Sequence, residues 1–249
     1  MLDVNFDFTT DTPHYWEGFW ERNGGLGLGA TDPDKFSPTL KSYHQQLWSK
    51  ELPNGDKMNL QRGDQYTYLQ WKNFRLSSDT IIISLIHWNN KKMVDQINDQ
   101  LGDYKPFYLD LIHKAYTIGG MIIFPQHQGS INQGKGCNKK ISDRWDLTLE
   151  CIRRYYRNED SPLFKTLERD KEFFDLFVDF KGYVDYFFLQ DCVSDDYSSV
   201  DIWCGDASFE GSGLPMTIDD YFTFIEKQLA FLSKRKQRIY EYCVQNNSR

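Results

Sequence analysis

From Thr217 onward the chain carries one long apolar stripe at helical spacing: Tyr221, Phe222, Ile225, Leu229, Leu232, Ile239 and Cys243. Apolar side chains that recur at steps of three and four residues share one face of an α-helix. Thr217 and Asp220 read as a capping box, each side chain placed to accept the other's backbone N–H. A stripe of this length has to be covered, so the chain must supply a layer for it to lie against.

The first half supplies candidates for that layer. "DQYTYLQWKNFRL" alternates, with Tyr66, Tyr68 and Phe74 against polar neighbours, and "SSDTIIISLIHW" is β-branched and apolar, the pattern of a buried strand. Asp79 reads as the turn between them. "MIIFP" is a further short buried strand. "NFDFTTDTP" reads as a short strand and a turn, and Trp16, Phe19 and Trp20 share a face of one or two helical turns.

Helices surround these segments. "SPTLKSYHQQLWSK" begins with Ser37 at an N-cap and Pro38 at the first helical position. "NKKMVDQINDQLGD" stops near Gly102, and "KPFYLDLIHKAYTIGG" ends on a double glycine. "SDRWDLTLECIRRYY" puts Trp145, Leu149, Ile152 and Tyr156 on one face, with Ser142 or Asp143 as cap and Glu150 spaced to pair with Arg154. "DSPLFKTLERDKEFFDLFVDF" repeats the Ser-Pro start. "GYVDYFFLQDCV" fits a strand or a buried helix, and "SVDIWCGD" a short strand. The expected fold is α+β: a central, mainly antiparallel sheet from the first half and helices mostly from the second, in a single globular domain over residues 1–249. Forty rings (7 Trp, 15 Tyr and 18 Phe) imply an aromatic core.

No apolar run approaches the roughly 20 residues of a membrane span. The N-terminus has acids where a secretory signal has a basic start, so a cytoplasmic location is expected. Five Cys without a CxxC pair and five His without HxH or HxxxH spacing point to no disulfide framework and no metal site. Net charge is −7, which argues against a non-specific nucleic-acid binder. The charge comes in blocks. Gly182 to Glu226 holds ten acids and no Lys or Arg, whereas Gly134 to Arg157 holds seven basic residues and three acids.

The stretch "SINQGKGCNKKISDRW" follows a strand and precedes a helix, the order in which phosphate sites are often built. Gly129, Gly134 and Lys135 match the spacing of a phosphate loop, but Gly136 stands where that pattern needs Ser or Thr. The candidate ligand-binding residues are Lys135, Lys139, Lys140 and Arg144 as charge donors and Asn132 as an orienting amide. "GGLGLG" at 24–29 has no strand before it and carries no dinucleotide signal. Asp64 ahead of Gln70 and Lys72 lacks the second carboxylate of a two-metal nuclease. "SKRKQR" at 233–238 reads as the solvated side of the last helix.

"FDFTTDTPHYWEGFWERN", "LWSKELPNG", "ISDRWDLTLECIRRYY" and "GYVDYFFLQD" resemble a family of functionally uncharacterised bacterial proteins of about this length. The resemblance implies a bacterial intracellular domain and carries no catalytic residue, cofactor or metal ligand. Two functional readings follow. In the first, opposed acidic and basic surfaces recognise a protein partner. In the alternative, an enzyme or sensor binds a nucleotide, a phosphorylated small molecule or a nucleic-acid end at the 129–144 loop.

Overall fold

The structure, a computed structural model, describes residues 2–20, 31–63, 69–86 and 90–247. The glycine cluster at 24–29, the 64–68 part of the alternating segment with Asp64, Tyr66 and Tyr68, and His87–Trp88 lie outside the described residues.

Among the described residues, four strands form one antiparallel sheet in sequence order: β1 (Gln61–Arg62), β2 (Leu69–Trp71), β3 (Phe74–Thr80) and β4 (Met121–Pro125). The helices are α1 (Pro33–Phe36), α2 (Pro38–Trp48), α3 (Asn90–Leu101), α4 (Tyr104–Ala115), α5 (Ile131–Cys137), α6 (Trp145–Tyr156), α7 (Phe164–Arg169), α8 (Lys171–Phe174), α9 (Phe180–Tyr186) and α10 (Ile218–Asn247). The expected α+β class holds, with the sheet from the first half and helices mostly from the second. Buried apolar side chains from Leu2 to Cys243 form one cluster.

The hairpin turn falls at Lys72–Asn73, where Lys72 has a φ of 51° and Trp71 pairs with Phe74. Asp79 is therefore not a turn residue. It sits inside β3, opposite Ile122 of β4. The apolar run after it leaves the sheet at Thr80. Its backbone is still satisfied: Ile81 N–H donates to Gly120 O at 2.8 Å. Buried Gln228 of α10 accepts from Ile83 N–H at 3.0 Å and donates to Ile83 O at 2.9 Å. A side-chain amide thus replaces a neighbouring strand, a pairing that local periodicity does not encode.

Residues 2–20 form turns rather than a strand or helix, and "SVDIWCGD" contributes only an isolated bridge, Val193 to Val200. Ser142 and Asp143 both have positive φ, so Arg144 takes the N-cap position of α6. The "DSPLFKTLERDKEFF" segment starts its helix at Phe164 and breaks at Asp170, giving α7 and α8. α9 resolves the ambiguous "GYVDYFF" as helix. The box at the start of α10 forms as read: Thr217 N–H donates to Asp220 Oδ2 and Asp220 N–H to Thr217 Oγ1, each at 3.1 Å. Among the described residues, no helix is long and apolar enough to cross a membrane.

Of the double glycine after α4, Gly119 lets α10 approach the turn before β4, and Gly120 lets that turn close on the end of α4. A Cβ on Gly119 would lie 2.4 Å from Lys236 Cγ, and one on Gly120 2.0 Å from Ala115 O. Gly120→Ala is therefore expected to cost about 1–3 kcal/mol by urea denaturation. Gly136→Ala, which meets open space on α5, is expected to be neutral or to stabilise by up to about 1 kcal/mol.

Candidate functional site

Asp32 caps α1, accepting from Asp34 N–H at 3.0 Å, and this short helix sets Asp34 against β3. β3 contributes Ser77, Ser78 and Asp79, which follow buried Leu76. From beyond β4 come Gln126, Ser130, Asn132 and Gln133. Together with Lys35 these side chains enclose a cavity of about 290 Å³.

Four atoms of the residues that line it are buried without a hydrogen-bond partner: Asp34 Oδ1, Ser130 Oγ, Asn132 Oδ1 and Asp79 Oδ2, the last paired by charge with Lys135. Ser130 is only 1% exposed and stands at the N-cap of α5, yet its hydroxyl does not cap the helix. A buried polar atom left unpaired costs about 1–3 kcal/mol. The amide of Asn132 is oriented by donating Nδ2–H to Ser77 Oγ at 3.2 Å, and Ser77 donates to Gln126 Oε1 at 2.8 Å. The free positions are therefore acceptors, or a hydroxyl able to act as one.

Behind the cavity runs a directed chain. Trp48 Nε1–H donates to His44 Nδ1 at 2.8 Å, and because an indole only donates, the imidazole proton is on Nε2. His44 Nε2 lies 2.8 Å from Ser78 Oγ and donates to it. Burial, aided by the Arg235 charge, pushes the His44 pKa down to about 3, so the ring is neutral. Ser78 keeps its own proton to give, and its hydroxyl holds the Asp34 pKa down against burial. Burial, and then the Asp32 and Asp79 charges, nevertheless raise Asp34 well above the usual carboxylate range. Burial raises Asp32 too, and Asp79 to about 6.

Lys135 closes one end of the site. It is 2% exposed and bonds to Asp143, and its Nζ lies 3.0 Å from Asp79 Oδ2. Asp79 Oδ2 has no hydrogen bond by angle. The contact is thus an ion pair held by charge, without a well-directed hydrogen bond. Burial works against the Lys135 ammonium, but Asp143 and Asp79 outweigh it and raise its pKa. Among the described residues, no group of three or more His, Cys, Asp or Glu is arranged to hold a metal ion.

A family model of unknown function, DUF6994, matches residues 2–239. The chain belongs to that family. All the cavity residues of this DUF6994 chain fall inside the matched span, as does the resemblance to an uncharacterised family read from the sequence. Neither the curated proteins nor the solved structures give a match.

The five residues singled out in the DUF6994 sequence do not gather around one space. Asn132 lines the acidic cavity, and Lys135 sits at its end with its charge committed. Lys139 and Lys140 are exposed. Arg144 is buried, bonded to Asp146, and donates to Gly213 O at 2.8 Å and Cys204 O at 2.9 Å. It lines, with Lys140, a separate cavity of about 410 Å³ under the 204–216 segment. The expected long loop contains α5, and Gly134 serves packing, since a Cβ there would meet Leu163 and Thr166 at 3.2–3.3 Å. Sequence reasoning missed Asp32, Asp34, Ser78, Asp79 and Ser130. A signal for Ser78 and Asp79 was the polar run of Ser77, Ser78, Asp79 and Thr80 directly ahead of apolar Ile81, Ile82 and Ile83.

Lys135→Met leaves Asp79 and Asp143 without their cation. The expected loss is about 3–5 kcal/mol at pH 8 by urea denaturation. A carboxyl whose folded pKa is raised holds its proton to higher pH than in the unfolded chain. The deficit should therefore shrink as pH falls through 6 towards the ordinary carboxylate range, and an unchanged deficit at pH 5 would contradict the assignment.

Proposed function

We propose that this chain is a small-molecule-binding protein whose ligand is an organic cation, an amine or guanidinium compound, held in the acidic cavity between α1, β3 and the start of α5. The observation that carries this reading is the set of unpaired buried acceptors among the lining residues, Asp34 Oδ1, Asn132 Oδ1 and Ser130 Oγ. A ligand bearing several N–H donors satisfies them together, and its charge relieves the mutual repulsion of Asp32, Asp34 and Asp79. The volume, about 290 Å³, suits a compact ligand, since pockets for drug-sized molecules run from roughly 300 Å³ upward.

The other two readings draw less support. An anion at 129–144 needs free cations, and Lys135 and Arg144 already spend theirs within the chain. Recognition through opposed charged surfaces loses part of both blocks to pairing within the chain. Arg153 and Arg154 both bond to Glu150, while Asp191 pairs with Arg238 at 2.5 Å and Asp201 with Lys227 at 2.9 Å.

The test is a melting-temperature screen with agmatine, putrescine, guanidine and glucosamine, against glycerol, phosphate and ATP. A saturating ligand at 100 times its Kd stabilises by about 2.7 kcal/mol, a shift of several degrees at this chain length. Binding should strengthen between pH 5 and 7, because Asp79, with its pKa near 6, loses its proton and adds charge to the cavity. Asp34→Asn should abolish the shift, and Lys139→Ala should leave it unchanged. Stabilisation by phosphate or ATP, with none of the cations effective, would reverse the assignment.

A further inference from the structure

Lys50 belongs to the "LWSKELPNG" phrase and has no part in the acidic cavity. α2 ends at Trp48, and the Ser49 N–H closes the last turn on Gln45 O. The Lys50 side chain then runs to the end of α9, where Nζ donates to Tyr186 O at 2.7 Å. Four rings surround the amine. The Phe188 centroid lies 4.0 Å from Nζ, Tyr186 4.5 Å, Tyr242 4.9 Å and Trp48 5.4 Å. This partner set, a carbonyl and four rings, contains no carboxylate. The nearby Asp185 is engaged with Lys181, with Tyr197 at 2.8 Å and with Gln190 at 2.9 Å.

Buried Lys135 behaves differently. Lys135 is clasped by two carboxylates and held as an ammonium. At Lys50, burial and then the charge of buried Arg235 push the pKa down to about 7, with Cys243 and Asp185 opposing. Ring faces favour the cation, so they recover part of the desolvation cost without removing it. A desolvated lysine beside a second cation is the environment that activates amines as nucleophiles. Lys50 also lines an open cavity of about 620 Å³, with Glu51, Pro53, Val178, Lys181 and Gly182 among its walls. A reagent therefore has a route to this side of the molecule.

We infer that Lys50 is a reactive amine site that captures small aldehydes or ketones as a reversible imine. The Nζ lone pair attacks the carbonyl carbon, and the π pair moves to oxygen, which takes up a proton. The carbinolamine loses that oxygen as water as the C=N bond forms, and the surplus Nζ protons pass to solvent. One amine and one carbonyl give one imine and one water. Hydrolysis reverses the step, and no oxidant or reductant takes part.

The experiment treats the full chain with glycolaldehyde and sodium cyanoborohydride, which traps the imine as a stable secondary amine, in short pulses from pH 5.5 to 10. Peptide mass mapping reads the rate at each lysine. At pH 7, Lys50 should be modified roughly tenfold or more faster than exposed Lys139 and Lys140. Its rate should level off above pH 7, while theirs keeps rising towards the ordinary lysine pKa. Tyr242→Leu opens the ring cage to water and should move the Lys50 midpoint upward. Modification of Lys50 at or below the rate of Lys139 at pH 7 would overturn the inference and leave the cage a purely structural device. Neither result bears on the acidic cavity, which shares no side chain with this one.

Discussion

An ammonium almost fully withdrawn from water persists at Lys135 because two carboxylates from different parts of the chain close on it. Asp79 comes from the middle of β3 and Asp143 from the turn before α6, while Lys135 itself rides on α5. One charge thus ties together the sheet, the short helix beyond β4 and the entry to α6, where Trp145 to Arg153 are all buried. Removing three charges from water is unfavourable unless each is compensated. Asp79 carries that requirement to the cavity, which Asp34 and Ser130 also line.

Much of the fold was legible where local chemistry decides the outcome. Ser37 caps α2 by accepting from Leu40 N–H, Gly102 stops α3 with a φ of 78°, and Thr217 and Asp220 cap α10 reciprocally. Each signal is complete within a few residues. The errors share a different origin. The strand expected through Ile81–Ile83 is replaced by pairing with Gln228, about 145 positions away. The hairpin turns on Lys72 and Asn73 without a glycine, so a turn placed at Asp79 put an interior carboxyl on the surface. Burial of Arg235 within "SKRKQR", donating to Phe187 O and Gly119 O, likewise depends on distant carbonyls that no helical periodicity reveals.

The candidate site follows the same division. Asn132 and Lys135 were noticed for their place in a glycine-spaced stretch, but their roles are set by what faces them across β3. The alternating charge blocks are real in sequence and are in part neutralised in space. The basic block pairs with its own acids at Asp143, Asp146 and Glu150, while Asp191 and Asp201 of the acidic block pair with α10. A run of like charge along a chain is thus a weak guide to the surface potential, since folding decides which charges neutralise one another.

The Trp48–His44–Ser78 chain has a fixed polarity, because an indole nitrogen has no lone pair to offer. Each donor is thereby compelled to point towards Asp34, and none of the links can be flipped by itself. The pocket's floor is consequently stamped with one sense from inside the core, a molecular diode that presents hydrogen outward to the carboxyl whatever enters from solvent.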